Sequence, residues 1–383
     1  MVIINNQKLT NYLSKKAIFD IYLFLNEKVR NEYIIPVNIK KRYLHKGTND
    51  LLNELIINNI DVFIYQQYNV DTIRFLNNIK KIKIIIIIHC SFLTWFYFGK
   101  FSFIKNLYNE YKNSKYIVSL IPFENDFLFK KWGINSILLN NFITYDYDSI
   151  FSPSNLSSKT ILMIGRADDG RKRFELGIKA MKYITEMIPE CEMKIISKTI
   201  HIQNLIKLVR KLGLEKNIKF VGYTSNPSKY FKNASLNIIT SSTESFSMVL
   251  CETKVYGIPN IITGINYVTP ARGGVINVLD DDPKTIAKEA IKILNNEKYR
   301  KQLGYEARLS MRTFKNSLTT EKWAELIRVV YKGDKYYKKL RENNKKISEI
   351  EAISILETQL KLLKKRNSKF KKMTINKLIQ IID

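Results

Sequence analysis

Short apolar runs alternate with stretches of helical periodicity along most of the chain. In the first 150 residues the runs are DVFIYQ, IKIIIIIHC, YIVSLI and SILL, at 61–66, 82–90, 116–121 and 136–139. Runs of this length and composition are typical of strands that are buried in a parallel sheet. Because helical stretches such as 101–113 separate them, the order predicts a doubly wound α/β sheet.

The same alternation restarts after a polar, Ser-rich segment, 144–159, which predicts an interdomain linker. Beyond it, a second Rossmann-like unit is expected. Its strands are predicted at 160–164, 193–197, 218–221, 236–240 and 259–263, and its helices at 173–187, 201–212, 227–232, 246–256, 283–295, 297–312 and 318–331.

The composition is that of a folded protein with an excess of positive charge. Hydrophobic residues make up 45% of the 383 residues, which allows two α/β domains with sizeable cores. Lys and Arg total 63 against 35 Asp and Glu, a net charge of +28. This excess either attracts an anionic partner, such as membrane lipid, nucleic acid or a phosphorylated substrate, or reflects Lys on solvated faces.

Targeting signals are not apparent in the sequence. The N-terminal MVIINNQKLTNYLSKK lacks the apolar core and cleavage site of a signal peptide, and no run of eighteen uncharged apolar residues follows. Cys90, Cys191 and Cys251 are far apart and show no CxxC spacing, which favours a reducing compartment. We therefore expect a cytoplasmic protein, either free or peripheral on the membrane.

The segment GRADDGRK, 165–172, follows a predicted strand and precedes a predicted helix. Gly165 opens the loop, and Arg166 and Lys172 lie at the carboxyl end of the strand. Doubly wound folds bind phosphate at such positions, because free amides and the helix dipole favour an anion. Two fixed cations would also stabilise a diphosphate leaving group. Basic residues are common in such loops, so this segment alone is weak evidence.

A second constellation, TESFSMVLCE at 243–252, follows the predicted strand LNIIT. Glu244 lies in the loop, and Glu252 lies eight residues later on the predicted helix, so that both are expected to face one crevice. Ser245, Phe246 and Ser247 place backbone amides at the helix start, a second position suited to an anion. Two Glu at this spacing also recur by chance, and a lone Glu on a helix is usually solvated.

Together, order and spacing carry a family resemblance. Residues 160–275 resemble the nucleotide-sugar-binding domain of glycosyltransferase family 4, whose pattern runs strand, Gly-Arg, Lys and then Glu-x7-Glu. The weaker landmarks FVGY, at 220–223, and VYGIP, at 255–259, also fit. The resemblance implies the GT-B fold, with two Rossmann-like doubly wound domains facing a central cleft and, in this chain, an appended C-terminal helical tail.

The resemblance also implies roles for the matched residues. Arg166 and Lys172 would hold the donor diphosphate, Glu244 and the amides of residues 246 and 247 the donor sugar, and Glu252 the ribose hydroxyls. The reaction would retain the anomeric configuration, with no cofactor and no obligatory metal. Where the family often has Gly-Phe-Gly after the first Glu, this chain has Ser-Phe-Ser, which should tighten access but preserve the backbone contacts.

The acceptor side is less well matched. His89 ends the strand IKIIIIIH, where the family often has a catalytic histidine that faces the donor sugar across the cleft, although a lone histidine after a strand can also be structural. The family usually begins with a strand and a Gly-rich loop, whereas MVIINNQKLTNYL contains no glycine. The acceptor site is therefore either rebuilt or degenerate.

Residues 331–383 are the most basic part of the chain, with 15 Lys and Arg against 6 Asp and Glu. Ile353, Leu356, Leu360 and Leu363 share one face of a predicted amphipathic helix. This face either helps the protein to reach an anionic membrane surface or packs on the body of the protein.

These observations predict an acceptor-side domain at 1–143, a linker at 144–159, a nucleotide-sugar-binding domain at 160–333 and a basic helical tail at 334–383. The expected activity is that of a retaining, hexosyl-type glycosyltransferase with a nucleotide-sugar donor and a glycan, lipid-linked or other hydroxyl acceptor. Alternatives are a phosphorylase or non-transferring sugar-nucleotide binder on the same fold, or a basic membrane- or nucleic-acid-binding protein. No nucleic-acid-binding module is visible, so a nucleic-acid partner is not expected.

Overall fold

The computed structural model describes residues 22–26, 40–44, 53, 55–57, 60–150, 153–167, 170–198, 202–344, 347–367 and 370–381. Contacts between residues divide the chain into two compact units. Unit 1 comprises Met1–Phe142, Asn316–Leu356 and Lys372–Asp383, and unit 2 comprises Ile143–Lys315 and Glu357–Lys371. The chain thus passes from unit 1 to unit 2 and back twice, the second time near its end.

Unit 1 contains a four-stranded parallel sheet in the order β3-β4-β5-β6, formed by Val62–Tyr65, Lys83–Ile88, Tyr116–Ser119 and Ser136–Leu138. The run of isoleucines in β4 is buried from Ile85 to Ile88, as expected of an internal parallel strand. A separate parallel pair is formed by β1, Tyr22–Asn26, and β2, Lys40–Leu44.

Helices from two distant parts of the sequence complete unit 1. The first set follows the strands: Val70–Asn77, Phe92–Tyr97, Phe101–Asn113, the π-helix Glu124–Leu128 and Phe129–Lys131. The second set comes from the C-terminal part: Asn316–Lys332, Asp334–Glu342, the first half of Glu349–Arg366, and Ile375–Ile379. Trp323 and Tyr337 from the second set pack with Ile85 and Val118 of the sheet in one core.

Unit 2 contains a six-stranded parallel sheet in the order β12-β11-β10-β7-β8-β9. The strands, in chain order from β7, are Thr160–Ile164, Glu192–Ile196, Ile218–Phe220, Leu236–Ile239, Asn260–Thr263 and Val275–Val278. Its α-helices are Phe174–Met187, Gln203–Lys211, Ser228–Phe231, Met248–Val255, Pro283–Asn295 and Glu297–Ser310, and its 3-10 helices are Tyr147–Ser149 and Met311–Phe314.

The helix Phe174–Met187 packs tightly on β7. A Cβ atom added at Gly177 would lie 2.3 Å from Met163 Sδ, so only glycine permits this approach of helix to strand. Residues 144–159, predicted as a linker, belong to unit 2 by their contacts. Leu156 in this segment is buried, and its carbonyl accepts a hydrogen bond of 2.8 Å from Arg300 Nε.

The predicted fold class is confirmed: two α/β units with parallel sheets and a helical C-terminal segment. Each strand predicted from an apolar run occurs, with bounds that differ by no more than a few residues. Three strands were missed, namely β1, β2 and β12. The sequence KKRYL of β2 is mostly basic and gives no apolar run, and the run VINV of β12 is short and interrupted by Asn277. The glycine-free N-terminal segment lies outside the described residues.

In its described residues, the segment predicted as a tail contains the helices Asp334–Glu342, Glu349–Arg366 and Ile375–Ile379, and the leucines of the predicted apolar face are buried. Leu356, Leu360 and Leu363 are 0%, 4% and 2% exposed, and Ile353 is half-buried. Of the two alternatives for this apolar face, packing on the protein therefore accounts for the leucines. Within the described part of the chain, no helix is both long and apolar enough to cross a bilayer.

Candidate functional site

The strand order of unit 2 reverses at β7. The chain adds β8 and β9 on one side of β7 and then β10, β11 and β12 on the other. In open parallel sheets, ligands bind outside the carboxyl ends of the strands at such a switch point. The loops that leave β7 and β10 flank this point, and they carry the two constellations identified in the sequence.

In the first loop, of which 165–167 and 170–173 are described, the aliphatic stem of Lys172 lies over Gly165. A Cβ added at Gly165 would come within 3.1 Å of Lys172 Cγ and Cε. A side chain at position 165 would therefore displace the lysine. Arg166, next to Gly165, is exposed on the same loop.

The second loop, 240–247, presents Glu244 to the first. Lys172 Nζ forms an ion pair with Glu244 Oε1, and both side chains are largely buried, at 22% and 13% exposure. Ser241 Oγ also donates to Glu244 Oε1 over 2.8 Å. The backbone amide of Glu244 donates to the hydroxyl of Tyr267 over 3.0 Å. The structure thus brings together Gly165, Lys172 and Glu244.

Arg173, the residue after Lys172, ties the loop to three neighbouring strand ends. Its side chain is 9% exposed. It donates to Thr240 O at the end of β10 (2.7 Å), to Thr263 Oγ1 at the end of β11 (2.8 Å), and to Asp281 beyond β12 (3.0 Å). One guanidinium therefore connects the carboxyl ends of four strands.

Asp281 lies between two arginines. Its carboxylate pairs with Arg173 and with Arg366, the last residue of the helix Glu349–Arg366. Burial alone would raise the pKa of Asp281, but hydrogen bonds from Arg366 and Arg173 together with their charges lower it to about 2. The carboxylate is therefore ionised throughout the physiological pH range.

Phe246 and Ser247 form the turn into the helix Met248–Val255. Phe246 is buried, with its ring 5.9 Å from that of Phe314. Ser247, the N-terminal cap, has φ of 59°, in the left-handed region that favours glycine. Its hydroxyl is buried without a hydrogen-bond partner. The backbone thus keeps the glycine-like conformation at the position where the resembling family often has glycine.

Glu252 lies in the second turn of the same helix and has a different partner. Its Oε1 accepts a hydrogen bond from Thr144 Oγ1. Burial and the negative charge of Glu252 raise the pKa of Tyr145 to about 12. Glu252 thus contacts the first residues of unit 2, which begins at Ile143.

His89 belongs to unit 1, whereas the predicted donor-binding residues belong to unit 2. Its Nε2 lies 3.0 Å from Gln66 Oε1, and burial lowers the pKa of His89 to about 4. The imidazole is therefore neutral at pH 7, and because an amide oxygen only accepts, Nε2 carries the proton. This leaves Nδ1 as an acceptor. A catalytic role for His89 stays a prediction.

The loop after His89 is fixed by a buried carboxyl group. Glu124 Oε1 accepts hydrogen bonds from Ser91 Oγ at 2.5 Å and from the amide of Phe92 at 3.0 Å. Burial raises the pKa of Glu124 to about 8, although these two hydrogen bonds act in the opposite direction.

Among the described residues, no three His, Cys, Asp or Glu side chains form a group that could hold a metal ion.

Sequence reasoning missed Arg173, Ser241, Tyr267, Asp281 and Arg366. Arg173 stands in the run RKR, where the family pattern singled out only Lys172. Asp281 is 108 residues from Arg173 and 85 from Arg366, and no local pattern joins residues that far apart.

We predict that Ser247→Gly stabilises the protein by about 1 kcal/mol. The left-handed conformation costs a non-glycine residue roughly 1–2 kcal/mol, and the substitution also removes a buried hydroxyl that has no hydrogen-bond partner. The greater flexibility of glycine in the unfolded chain offsets part of this gain in stability. Urea denaturation checks this. Ser245→Gly is the control, because the φ angle of Ser245 is not positive. It should lower stability slightly, and a loss of stability in Ser247→Gly would contradict the prediction.

Comparisons with known proteins match the part of the chain that contains both loops. Residues 148–310 match the family described as glycosyl transferases group 1. A relative from Campylobacter jejuni, GalNAc-alpha-(1->4)-GalNAc-alpha-(1->3)-diNAcBac-PP-undecaprenol alpha-1,4-N-acetyl-D-galactosaminyltransferase, is 26% identical over 188 residues, which cover 47% of this chain and 50% of the relative. Across the curated relatives it matches, this chain spans between 26% and 55% of their length.

Solved structures match over more of the chain. Sucrose-phosphate synthase from Thermosynechococcus elongatus is similar with a TM-score of 0.72 at 14% identity, covering 86% of this chain and 93% of that one. HepE of Anabaena, in complex with UDP and glucose, has a TM-score of 0.62 at 14% identity, covering 84% and 95%. The protein therefore has the GT-B fold of glycosyltransferases, and its residues 148–310 match the group 1 glycosyltransferase family.

Proposed function

We propose that the protein is a retaining glycosyltransferase that moves a hexosyl group from a uridine-diphosphate sugar to a hydroxyl acceptor. The observation that carries the proposal is the pairing of Lys172 with Glu244 across the two loops of the switch point. One residue is suited to a diphosphate and the other to sugar hydroxyls. The complex of HepE with UDP and glucose supports the choice of donor class.

Lys172 and Arg166 would act on the diphosphate. When the bond between the anomeric carbon and the diphosphate oxygen breaks, its electron pair goes to that oxygen, and fixed cations stabilise the growing charge. Lys172 already has a carboxylate partner, so the diphosphate would compete with Glu244 for its ammonium. Glu244 keeps the hydrogen bond from Ser241 if Lys172 turns toward the phosphate.

Glu244 would bind the sugar, and Glu252 the ribose. The amides that open the helix Met248–Val255 add donors at a positive helix end, a position that favours an anion. Glu252 has two carboxylate oxygens, of which Oε1 contacts Thr144. A carboxylate can accept from both hydroxyls of a ribose, which fits the role that the family resemblance implies.

The acceptor oxygen would attack the anomeric carbon on the face that the diphosphate leaves, and its proton would pass to the departing diphosphate. This path needs neither a protein nucleophile nor a metal, so transfer should continue in a strong chelator. We propose a glycan or lipid-linked acceptor, and the name of the Campylobacter jejuni relative, with its diphosphate-linked undecaprenol, supports this class.

We predict that Lys172→Ala and Glu244→Gln each lower kcat/KM by about a hundredfold or more. Removing one preorganised electrostatic contact to a transition state typically costs about 3–4 kcal/mol. UDP release and transferred sugar are measured with purified, folded variants. Lys179→Ala and Glu186→Gln are matched controls, because both side chains are exposed in the helix Phe174–Met187. Wild-type turnover in either loop variant would contradict the assignment. Turnover of a sugar phosphate in place of a UDP-sugar would indicate a phosphorylase.

We also propose that the protein reaches an anionic membrane surface through exposed lysines of the helix Asp334–Glu342. Lys335, Lys338 and Lys339 are exposed there, next to the exposed ring of Tyr336. The buried leucines of the following helix take no part in this contact. Each lysine near an anionic bilayer contributes about 1 kcal/mol to the free energy of binding. At physiological salt, this attraction is largely lost beyond a distance of roughly 8–10 Å.

The membrane proposal predicts that replacing these three lysines by Gln weakens binding to phosphatidylserine vesicles by about a hundredfold at low salt, as co-sedimentation would show. Lys179, Lys182 and Lys288, exposed in unit 2, provide a control triple with the same loss of charge. An equal effect of both triples would mean that net charge alone is responsible, and unchanged binding of the first triple would also contradict the proposal.

A further inference from the structure

The end of the helix Glu349–Arg366 contacts the loop that carries Glu244. Arg366 NH1 donates to the carbonyl of Ser242 over 2.9 Å. Its Nε and NH2 donate to the two oxygens of Asp281 over 2.7 and 3.1 Å. The side chain is only 6% exposed. Because the side chain is buried and each of its three nitrogens already donates a hydrogen bond within the protein, Arg366 holds other groups in place.

The position of Arg366 is fixed by the rest of its helix. Gln359 Nε2 donates to the carbonyl of Gly264 over 2.7 Å, and Gln359 is 2% exposed. Leu362 packs directly on Gly264, where an added Cβ would lie 2.3 Å from Leu362 Cδ1. Lys365 Nζ donates to the carbonyl of Asp280. The helix is therefore held at the ends of β11 and β12 over two turns.

The loop from Thr240 to Glu244 depends on groups outside it. The Ser242 amide donates to the carbonyl of Arg171 over 2.8 Å, and the carbonyl of Ser242 accepts from Arg366. The Glu244 amide donates to the hydroxyl of Tyr267. Arg366 is thus the contact that holds the carbonyl side of Ser242, two residues before Glu244.

We propose that Arg366 is a positioning residue for Glu244, so that the C-terminal helix sets the geometry of the donor site. The inference rests on the proposed function, in that it assigns Glu244 to the donor sugar. Without Arg366, the carbonyl of Ser242 and one side of Asp281 lose buried charge-assisted hydrogen bonds, and the loop no longer has one fixed arrangement. A shift of about 1 Å at a reacting group can reduce a rate by about a hundredfold.

The proposal predicts that Arg366→Met lowers kcat by about 10- to 100-fold per folded molecule, with a smaller change in KM for the UDP-sugar. Arg366→Lys keeps the charge opposite Asp281 but replaces a planar fork by a single ammonium, so it should recover only part of the rate. Kinetics are measured well below the melting temperature of each variant.

Arg300→Met is the matched control. Arg300 is also a buried arginine of unit 2, at 4% exposure, and it donates to the carbonyls of Leu156, Ile293 and Leu294. Its loss should lower stability in a similar way but leave kcat per folded molecule unchanged. Equal losses of kcat in both variants would overturn the proposal, since the effect would then be a general consequence of removing a buried arginine.

Hydrogen exchange gives a readout that does not depend on activity. Amides of residues 242–247 should exchange faster in Arg366→Met than in wild type, and should be unchanged in Arg300→Met. If wild type transfers no sugar but the exchange result holds, the proposed function fails while the positioning contact stands. If wild type is active and Arg366→Met keeps both its kcat and its loop protection, the positioning role is wrong. Should Arg366→Met not fold, the same two measurements on Arg366→Lys decide.

Discussion

The ion network of Arg173, Asp281 and Arg366 holds together the carboxyl edge of the unit 2 sheet. Two guanidiniums share one carboxylate, all three side chains being less than 10% exposed. Removing one member of such a buried network typically costs about 3–5 kcal/mol, because the remaining charge has no compensation. The network joins segments that follow β7, β10, β11 and β12 to the C-terminal helix. The loops at the strand ends therefore depend on a residue of the C-terminal helix, Arg366, for part of this network.

This constraint explains how two short loops can form a site. A parallel sheet places the ends of β7 and β10 side by side, but it does not determine the conformation of the loops that follow them. Arg173 fixes the first loop and the end of the second, and Arg366 fixes the carbonyl of Ser242. Lys172 and Glu244, which lie between these fixed points, can therefore pair in one geometry. Two cations on one carboxylate also leave one net positive charge behind the loops, which favours an anionic ligand.

The parts of the molecule predicted from sequence are those with a local signal. Buried parallel strands appear as apolar runs, and the loops that follow them appear as Gly, Lys and Glu at characteristic spacing. Ser247 is an informative departure, because the sequence shows the loss of a glycine whereas the backbone keeps the left-handed conformation. The apolar face of the C-terminal helix was also visible, but its periodicity cannot tell whether lipid or protein covers it.

The parts that sequence could not predict depend on contacts between distant residues. Arg366 and Ser242 are separated by 124 residues, and a helix that ends on Lys364, Lys365 and Arg366 gives no sign of which cation is buried. Likewise, Tyr337 donates its hydroxyl proton toward the carbonyls of Ile117 and Asn135, so a segment predicted as a basic tail contributes to the core of unit 1.

Binding of a nucleotide sugar at the paired loops is tested most directly by differential scanning fluorimetry with a panel of nucleotides and nucleotide sugars. A ligand that binds only the folded state raises the melting temperature, and the shift grows with the logarithm of the ratio of ligand concentration to Kd. We expect a UDP-sugar to raise the melting temperature of wild type, and this shift to be lost in Lys172→Ala but kept in Lys179→Ala. Failure of every nucleotide sugar to stabilise the wild type, or equal stabilisation of Lys172→Ala, would contradict binding at these loops.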